Sequence, residues 1–302
     1  MASVETSPGA NRGWGAWLLA ARLQTLPVAA APVAVGTALA LADGLARALP
    51  ASAALLGAFL IQIGANFAND VFDFERGADT DTRIGPPRAA QLGLLTPRQM
   101  KIGTAVAFGS AALVGVYLVG VGGWPIAMIG VLSIAAGLAY TGGPFAFGYH
   151  GLGDIAVFAF FGIAAVCGTY FVQALSLPPI AVAGSLPIGA FATAVLVVNN
   201  LRDVDPDRSV GNRTLAVRFG RRAARFEYAG LLAFAYAMLP VLWLAGASRA
   251  AMLFPLATLP FAVWLIHTVW TSGEGPALNA ALARTAGLEI VFATLLAAGL
   301  LS

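Results

Sequence analysis

Nine runs of mostly apolar residues, near 22–42, 52–70, 102–121, 124–141, 153–175, 180–200, 226–247, 250–270 and 283–301, occupy most of the chain. Each approaches the ~20 residues that a helix needs to cross the hydrocarbon core of a bilayer. Backbone polar groups find no water there, so runs of this length are read as helices bonded within themselves. Composition agrees: 59% of the 302 residues are hydrophobic and 10% charged, where a soluble domain carries about 25% charged residues. A soluble enzyme and a disordered chain are thereby excluded. The net charge of +3 reflects few acids rather than a basic patch, so no nucleic-acid partner is expected. The fold class read from these runs is all-α: a polytopic membrane bundle of about nine transmembrane helices in contact with membrane lipid. Residues 1–302 read as a single transmembrane domain, with 1–12 a disordered cytoplasmic tail.

The cations orient the bundle. With the N-terminus inside, the loop between spans two and three carries Arg76, Arg83, Arg88, Arg98 and Lys101. The loop between spans six and seven carries Arg202, Arg208, Arg213, Arg218, Arg221, Arg222 and Arg225. Of 17 Lys and Arg, only Arg47 and Arg249 fall outside, an asymmetry well beyond what the positive-inside rule requires. The expected location is a bacterial cytoplasmic (inner) membrane, with the N-terminus and these loops cytoplasmic. No basic-then-apolar stretch ends in a cleavage site, so no removable leader is expected. The single Cys167 excludes an intramolecular disulfide and reads as a small buried hydrophobe. His150 and His267 show no metal-ligand spacing.

Eight of the 14 acids fall in two short stretches, each directly after an apolar span. The first runs Asn66-Phe67-Ala68-Asn69-Asp70-Val71-Phe72-Asp73 and on through Glu75, Asp79 and Asp81. The second runs Asn199-Asn200-Leu201-Arg202-Asp203-Val204-Asp205-Pro206-Asp207. If the helices continue, Asn66, Asn69, Asp70 and Asp73 share one face, and so do Asn199, Asp203 and Asp207. Matching stripes in the two halves hint at an old duplication. Carboxylates this crowded near low dielectric need a cation between them. Mg²⁺ suits the role because it takes oxygen ligands and commonly joins one or two carboxylates to a substrate phosphate. Nearby arginines then suit the remaining phosphate oxygens. A solvated loop explains either stretch alone. It does not explain two of them, each begun by amide side chains inside a membrane span, where such groups are costly unless they serve a site.

At these residues the chain resembles the UbiA superfamily of intramembrane aromatic prenyltransferases, and within it the branch that prenylates 1,4-dihydroxy-2-naphthoate in menaquinone biosynthesis. Asn69-Asp70-x-x-Asp73 with Gly77-x-Asp79 looks like the first motif of that branch, and Arg83 to Arg88 with Gln91 like the segment after it. Tyr140-Thr141-Gly142-Gly143-Pro144, Gly151-Leu152-Gly153-Asp154 and Phe160-Phe161-Gly162 resemble its middle loop and fifth helix. Asn199-Asn200-Leu201-Arg202-Asp203-x-x-x-Asp207 and Thr214-Leu215-Ala216-Val217-Arg218-x-Gly220 resemble its second motif and tail. Two positions depart from the pattern. Asn212 stands where the branch usually has Lys, and Gln24 where it has a cation.

The resemblance implies a helical bundle around a central cavity and a transferase joining a polyprenyl diphosphate to an aromatic acceptor, 1,4-dihydroxy-2-naphthoate. It implies Mg²⁺ as cofactor, loss of CO₂, and demethylmenaquinol as product. Asp70, Asp73, Asp203 and Asp207 are then the catalytic metal ligands, with Asn66, Asn69 and Asn199 supporting them and Asp79 a lesser candidate. Arg76, Arg88, Arg202 and Arg213 are candidates for phosphate contact, and Tyr140 and Asp154 for positions near the acceptor. A one-residue shift in a mobile segment after Asp207 would let Arg213 replace the missing Lys. Other acceptors of the superfamily, such as 4-hydroxybenzoate or homogentisate, are alternatives. A secondary transporter is the rival from another class, but its acids usually sit near the bilayer midplane rather than at one face beside arginines.

Overall fold

The structure, a computed structural model, describes residues 13–77, 85–245, 250–273 and 275–302. Asp79, Arg83 and residues 1–12 lie outside the described residues. Among those described there are helices and turns and no strands. Eight apolar helical segments of 22–30 residues are long enough to span a membrane, and the shorter Trp124–Ala139 falls between the third and fourth of them. The protein is an integral membrane protein.

In chain order the helices are α1 (Trp14–Ala21), α2 (Leu26–Ala42), α3 (Ala48–Glu75), α4 (Pro97–Gly122), α5 (Trp124–Ala139), α6 (Gly153–Val157), α7 (Ala165–Ala174), α8 (Pro179–Arg202), α9 (Val204–Ser209), α10 (Leu215–Ala245), α11 (Leu259–Thr271) and α12 (Gly275–Leu301). A π-helical turn, Phe158–Ala164, joins α6 to α7 as one membrane span. The outer surface is apolar, with Leu113, Val106, Ile155 and Val263 largely exposed. The largest core cluster lies among α2, α8, α10 and α12 around Phe191, Tyr228, Leu239 and Phe292.

Two features place the site. First, α3 has 28 residues, about 42 Å of helix at 1.5 Å per residue against a hydrocarbon core of about 30 Å. Its last turns therefore carry Asp70 and Asp73 to one end of the bundle, while Arg47 caps its other end and donates its N–H to Gln173. Second, the π-helical turn meets α8 backbone to backbone. A Cβ on Gly162 would come 2.6 Å from the Gly189 Cα, and one on Gly189 would come 2.9 Å from the Phe158 carbonyl oxygen. This contact holds the fifth span directly against the helix that bears the second acidic motif.

Several boundaries differ from the hydropathy reading, among them α12, which begins at Gly275 rather than 283. The first span begins at Trp14 rather than 22 and is interrupted at Arg22, whose φ of 50° lies in the left-handed region. The seventh begins at Leu215 rather than 226, with a non-helical break at Gly220 (φ 85°). Its first turns are rich in arginine, so their hydropathy reads as loop. Arg221 donates to the Leu201 carbonyl, and Arg225 to those of Val269 and Ser272. These contacts let a charged segment stay helical.

Candidate active site

The first motif is fixed from within α3. Asn66 donates from Nδ2 to the Ala21 carbonyl (2.9 Å) and to Thr25 Oγ1 (3.0 Å), and Gln62, one turn earlier, donates to the same hydroxyl (3.1 Å). These bonds tie α3 to the turn after Arg22. Asn69 Oδ1 accepts from Thr141 at 2.9 Å, and the Asn69 carbonyl accepts from Arg88 at 2.8 Å. Asp73 pairs with Arg88, each side chain 9% exposed. Asp70 behaves differently. It is 1% exposed, and its carboxylate accepts the backbone N–H groups of Ala89 (3.1 Å) and Ala90 (3.4 Å). It therefore anchors the turn that delivers Arg88.

The second motif is built around Arg202, which is 3% exposed. Its guanidinium grips both oxygens of Asp203 (2.8 and 2.5 Å) and also donates to Asn199 Oδ1 and to Asn279 Oδ1 of α12, each at 2.8 Å. Asp207, one turn into α9, accepts from Asn212 Nδ2 at 2.9 Å. Burial raises the Asp207 carboxyl to about 6; the Asn212 bond opposes that rise, while the charges of Asp203 and Asp73 add to it. Asp205 points elsewhere, to Arg221 and Arg208.

Both motifs open on one cavity of about 730 Å³. Asn66, Asn69, Asp73 and Arg88 line it from one side and Asn199, Asn200, Asp203, Asp207 and Asn212 from the other, with Arg22, Tyr140, Thr141 and Tyr149 between them. From that polar end it continues along small and apolar residues of α3, α4, α5 and α7, among them Gly57, Gly115, Val119 and Val172. Asp70, Asp154, Arg76, Arg202 and Arg213 are absent from its lining. Asp154 is 5% exposed at the start of α6, and its Oδ1 has no hydrogen-bond partner among the described residues. After Asp207 the helix α9 ends at Ser209, a turn and three non-helical residues lead to α10, and the Arg213 N–H donates to the Tyr149 carbonyl at 2.7 Å. Asn212, at the position of the missing Lys, does face the cavity.

Gln62 and Tyr149 were not singled out from the sequence, and Thr141 entered only as part of the Tyr140–Pro144 motif. Of the first two, Gln62 left a signal, an amide inside a span four residues before Asn66. The donor set suits a hard divalent cation: three carboxylates and several amides in the cavity wall offer oxygen atoms. Among the described residues no three acids converge as a ready-made metal group.

A helical membrane bundle whose acids and amides meet at one end of a deep cavity with an apolar continuation defines a class, intramembrane enzymes acting on amphiphilic substrates. The chain belongs to the UbiA prenyltransferase family, whose profile matches residues 29–295, and it is an enzyme of prenyl transfer. It is 43% identical over 223 residues, 72% of each chain, to the 1,4-dihydroxy-2-naphthoate octaprenyltransferase of Escherichia coli. It is 39% identical over 287 residues to the enzyme of that name from Mycobacterium tuberculosis, covering 95% of this chain and 96% of that one. Its fold resembles a UbiA homologue from Archaeoglobus fulgidus bound to DMAPP and Mg²⁺, with a TM-score of 0.68 at 15% identity over 93% of this chain and 98% of that one.

Proposed function

We propose that this protein transfers a polyprenyl group from a polyprenyl diphosphate to 1,4-dihydroxy-2-naphthoate, with Mg²⁺ and with loss of CO₂, giving demethylmenaquinol. The observation that carries the reading is that Asp73, Asp203 and Asp207, from motifs far apart in sequence, line one long cavity. The acceptor is supported by the names of relatives that match most of the chain.

In this reading Asp73, Asp203 and Asp207 hold Mg²⁺, with Asn66, Asn69, Asn199 and Asn200 around them. Bound Mg²⁺ supplies positive charge for the oxygens of the departing diphosphate. Arg88 leaves its pairing with Asp73 to donate to the same oxygens, and Arg22 lies within reach of the same space. The C1–O bond of the allylic diphosphate breaks with its electron pair on oxygen, and a ring carbon of the acceptor donates a pair to C1. Loss of CO₂ returns the carboxylate bond pair to the ring. The apolar groove holds the isoprenoid tail and keeps water from the allylic cation. Arg202 positions Asp203 and Asn199, and Asp70 positions Arg88. Tyr140 sits on the cavity wall beside the acceptor. The whole chain is one catalytic domain in a bacterial inner membrane, with the acidic end cytoplasmic.

Purified protein in detergent, given one prenyl diphosphate, Mg²⁺ and a panel of 1,4-dihydroxy-2-naphthoate, 4-hydroxybenzoate and homogentisate, tests this directly. The expected result is a decarboxylated prenyl naphthoquinol identified by mass, and its loss in EDTA. Prenylation of 4-hydroxybenzoate alone would overturn the acceptor, and metal-independent turnover would overturn the ligand assignment.

A further inference from the structure

Beside the reaction cavity lies a second one of about 250 Å³. Its walls come from three separate stretches: Arg76 after α3, Tyr149 and His150 of the turn Phe147–His150, and the segment from Val210 to Arg218. Tyr149 and Asn212 also line the reaction cavity, so the two spaces share a wall.

Three guanidinium groups line this pocket and, among the described residues, no carboxylate does. Two of the three are fixed by backbone carbonyls. Arg76 donates to Gly143 at 2.5 Å and lies 5.1 Å over the Tyr149 ring, and Arg218 donates to Arg213 (2.9 Å) and His150 (3.0 Å). Such bonds fix position without neutralising charge. Arg213 is held by its backbone N–H, and its guanidinium has no acceptor among the described residues. Cations gathered in one concavity raise the local potential for anions. A guanidinium fork matches the geometry of phosphate oxygens. A singly charged carboxylate would satisfy one arginine, whereas a diphosphate can satisfy three.

We propose that this pocket binds inorganic diphosphate on its way out of the reaction cavity, across the wall formed by Asn212 and Tyr149. The proposal rests on the prenyl-transfer reading, in which each turnover leaves one diphosphate beside Asp207, the hydrogen-bond partner of Asn212. It assigns Arg213 to the product rather than to the substrate. It also gives the arginines after Asp207 a role separate from membrane orientation.

The test is binding of radiolabelled inorganic diphosphate to the purified full chain in detergent with EDTA, which removes the metal-dependent component. Wild type should retain saturable binding, and so should Asp203→Asn. Arg213→Ala should weaken it about tenfold, as expected for losing a charge-assisted contact, and Arg213→Glu should remove it. In turnover assays Arg213→Ala should raise the half-inhibiting concentration of added diphosphate by a similar factor and leave the KM for prenyl diphosphate unchanged. Absence of EDTA-resistant binding in wild type, or its survival in Arg213→Glu, overturns the proposal. A KM that rises in step with the inhibition constant also overturns it, by placing Arg213 on the substrate. Diphosphate binding of the expected pattern in a chain that fails to prenylate any acceptor would support the pocket and sink the functional reading.

Discussion

The two acidic motifs look alike in sequence and are held in different ways. At the first, the partner cation, Arg88, comes from a turn beyond α3, and Asp70 fixes that turn through two backbone N–H groups. At the second, the cation is the neighbouring residue: Arg202 grips Asp203 and is itself anchored to α12 through Asn279. Among the described residues Asp207 is hydrogen-bonded to a neutral partner, Asn212, and feels the Arg202 charge without a direct bond to it. The first motif is thus a long-range assembly and the second a local one. Similar spacing of ligands therefore says little about what keeps them in place.

Removing a cavity carboxylate on either side should be the most damaging change. Asp73→Asn and Asp203→Asn should each lower kcat/KM at least about a hundredfold without rescue by excess Mg²⁺, since each deletes a charged ligand whose neighbours are fixed. Stability separates the two motifs. Asp73→Asn removes the buried ion pair between Asp73 and Arg88 and should cost on the order of 3 kcal/mol. Arg202 keeps Asn199 and Asn279 as partners, so Asp203→Asn should cost less. Equal losses in thermal or denaturant unfolding would break the contrast.

Asp70 sharpens it. Because its carboxylate bonds backbone rather than facing the cavity, Asp70→Ala should cost about 1–3 kcal/mol through two buried donors left unsatisfied. Activity should fall by about one to two decades through a misplaced Arg88. Asp70→Asn keeps one acceptor oxygen and should fall between wild type and Ala. If Asp70→Asn instead kept wild-type stability and lost all turnover, Asp70 would be a metal ligand in the working enzyme, as its spacing in the sequence suggests.

The polar and apolar ends of the cavity offer a further contrast. A Cβ on Gly115 would meet nothing within 4 Å, and one on Gly57 only Val114 at 3.8 Å. Gly57 lies roughly 24 Å from Asp73 along α3 at the helical rise. Gly57→Phe should therefore fill groove without straining the fold. Competition between long and short prenyl diphosphates should shift by roughly tenfold towards the short one. An unchanged preference would mean that the tail leaves the bundle before reaching that depth.

The spans and both motifs were legible because hydropathy and helical periodicity are local. The arginine-rich start of α10 was not, since Arg221 and Arg225 stay helical through carbonyls contributed by α8 and the end of α11. Membership of a polar stripe was also readable, but the direction of each side chain was not. Asp70 and Asp73 share a face of α3, yet Asp73 lines the cavity and Asp70 turns to the backbone of Ala89 and Ala90. Arg213 and Asn212 are adjacent, and only Asn212 lines the reaction cavity. Such choices depend on segments distant in sequence.

The mildest effect belongs to Asp207. Burial raises Asp207 from its ordinary 3.8 to about 6, so the folded metal-free protein holds a proton there that the unfolded chain releases. On this account its stability falls as pH rises from about 4 to 6 and changes little above. Mg²⁺ binds the carboxylate and displaces that proton, so the Mg²⁺ concentration for half-maximal activity should rise as pH drops below about 6. Asn212→Lys places an ammonium beside Asp207 and lowers its pKa. For a fall of one unit the ionised fraction near pH 5.5 rises roughly threefold, which should reduce the Mg²⁺ requirement at acid pH. Near pH 7.5, where Asp207 is ionised in both proteins, the same ammonium only repels the metal, so any change in requirement there should be small and upward. The comparison is therefore a crossing of two Mg²⁺ titration series, one per protein, collected between pH 5.5 and 7.5. Parallel series would show that Asp207 is not the acid whose protonation limits metal binding, leaving Asp73 and Asp203 as the pair that matters.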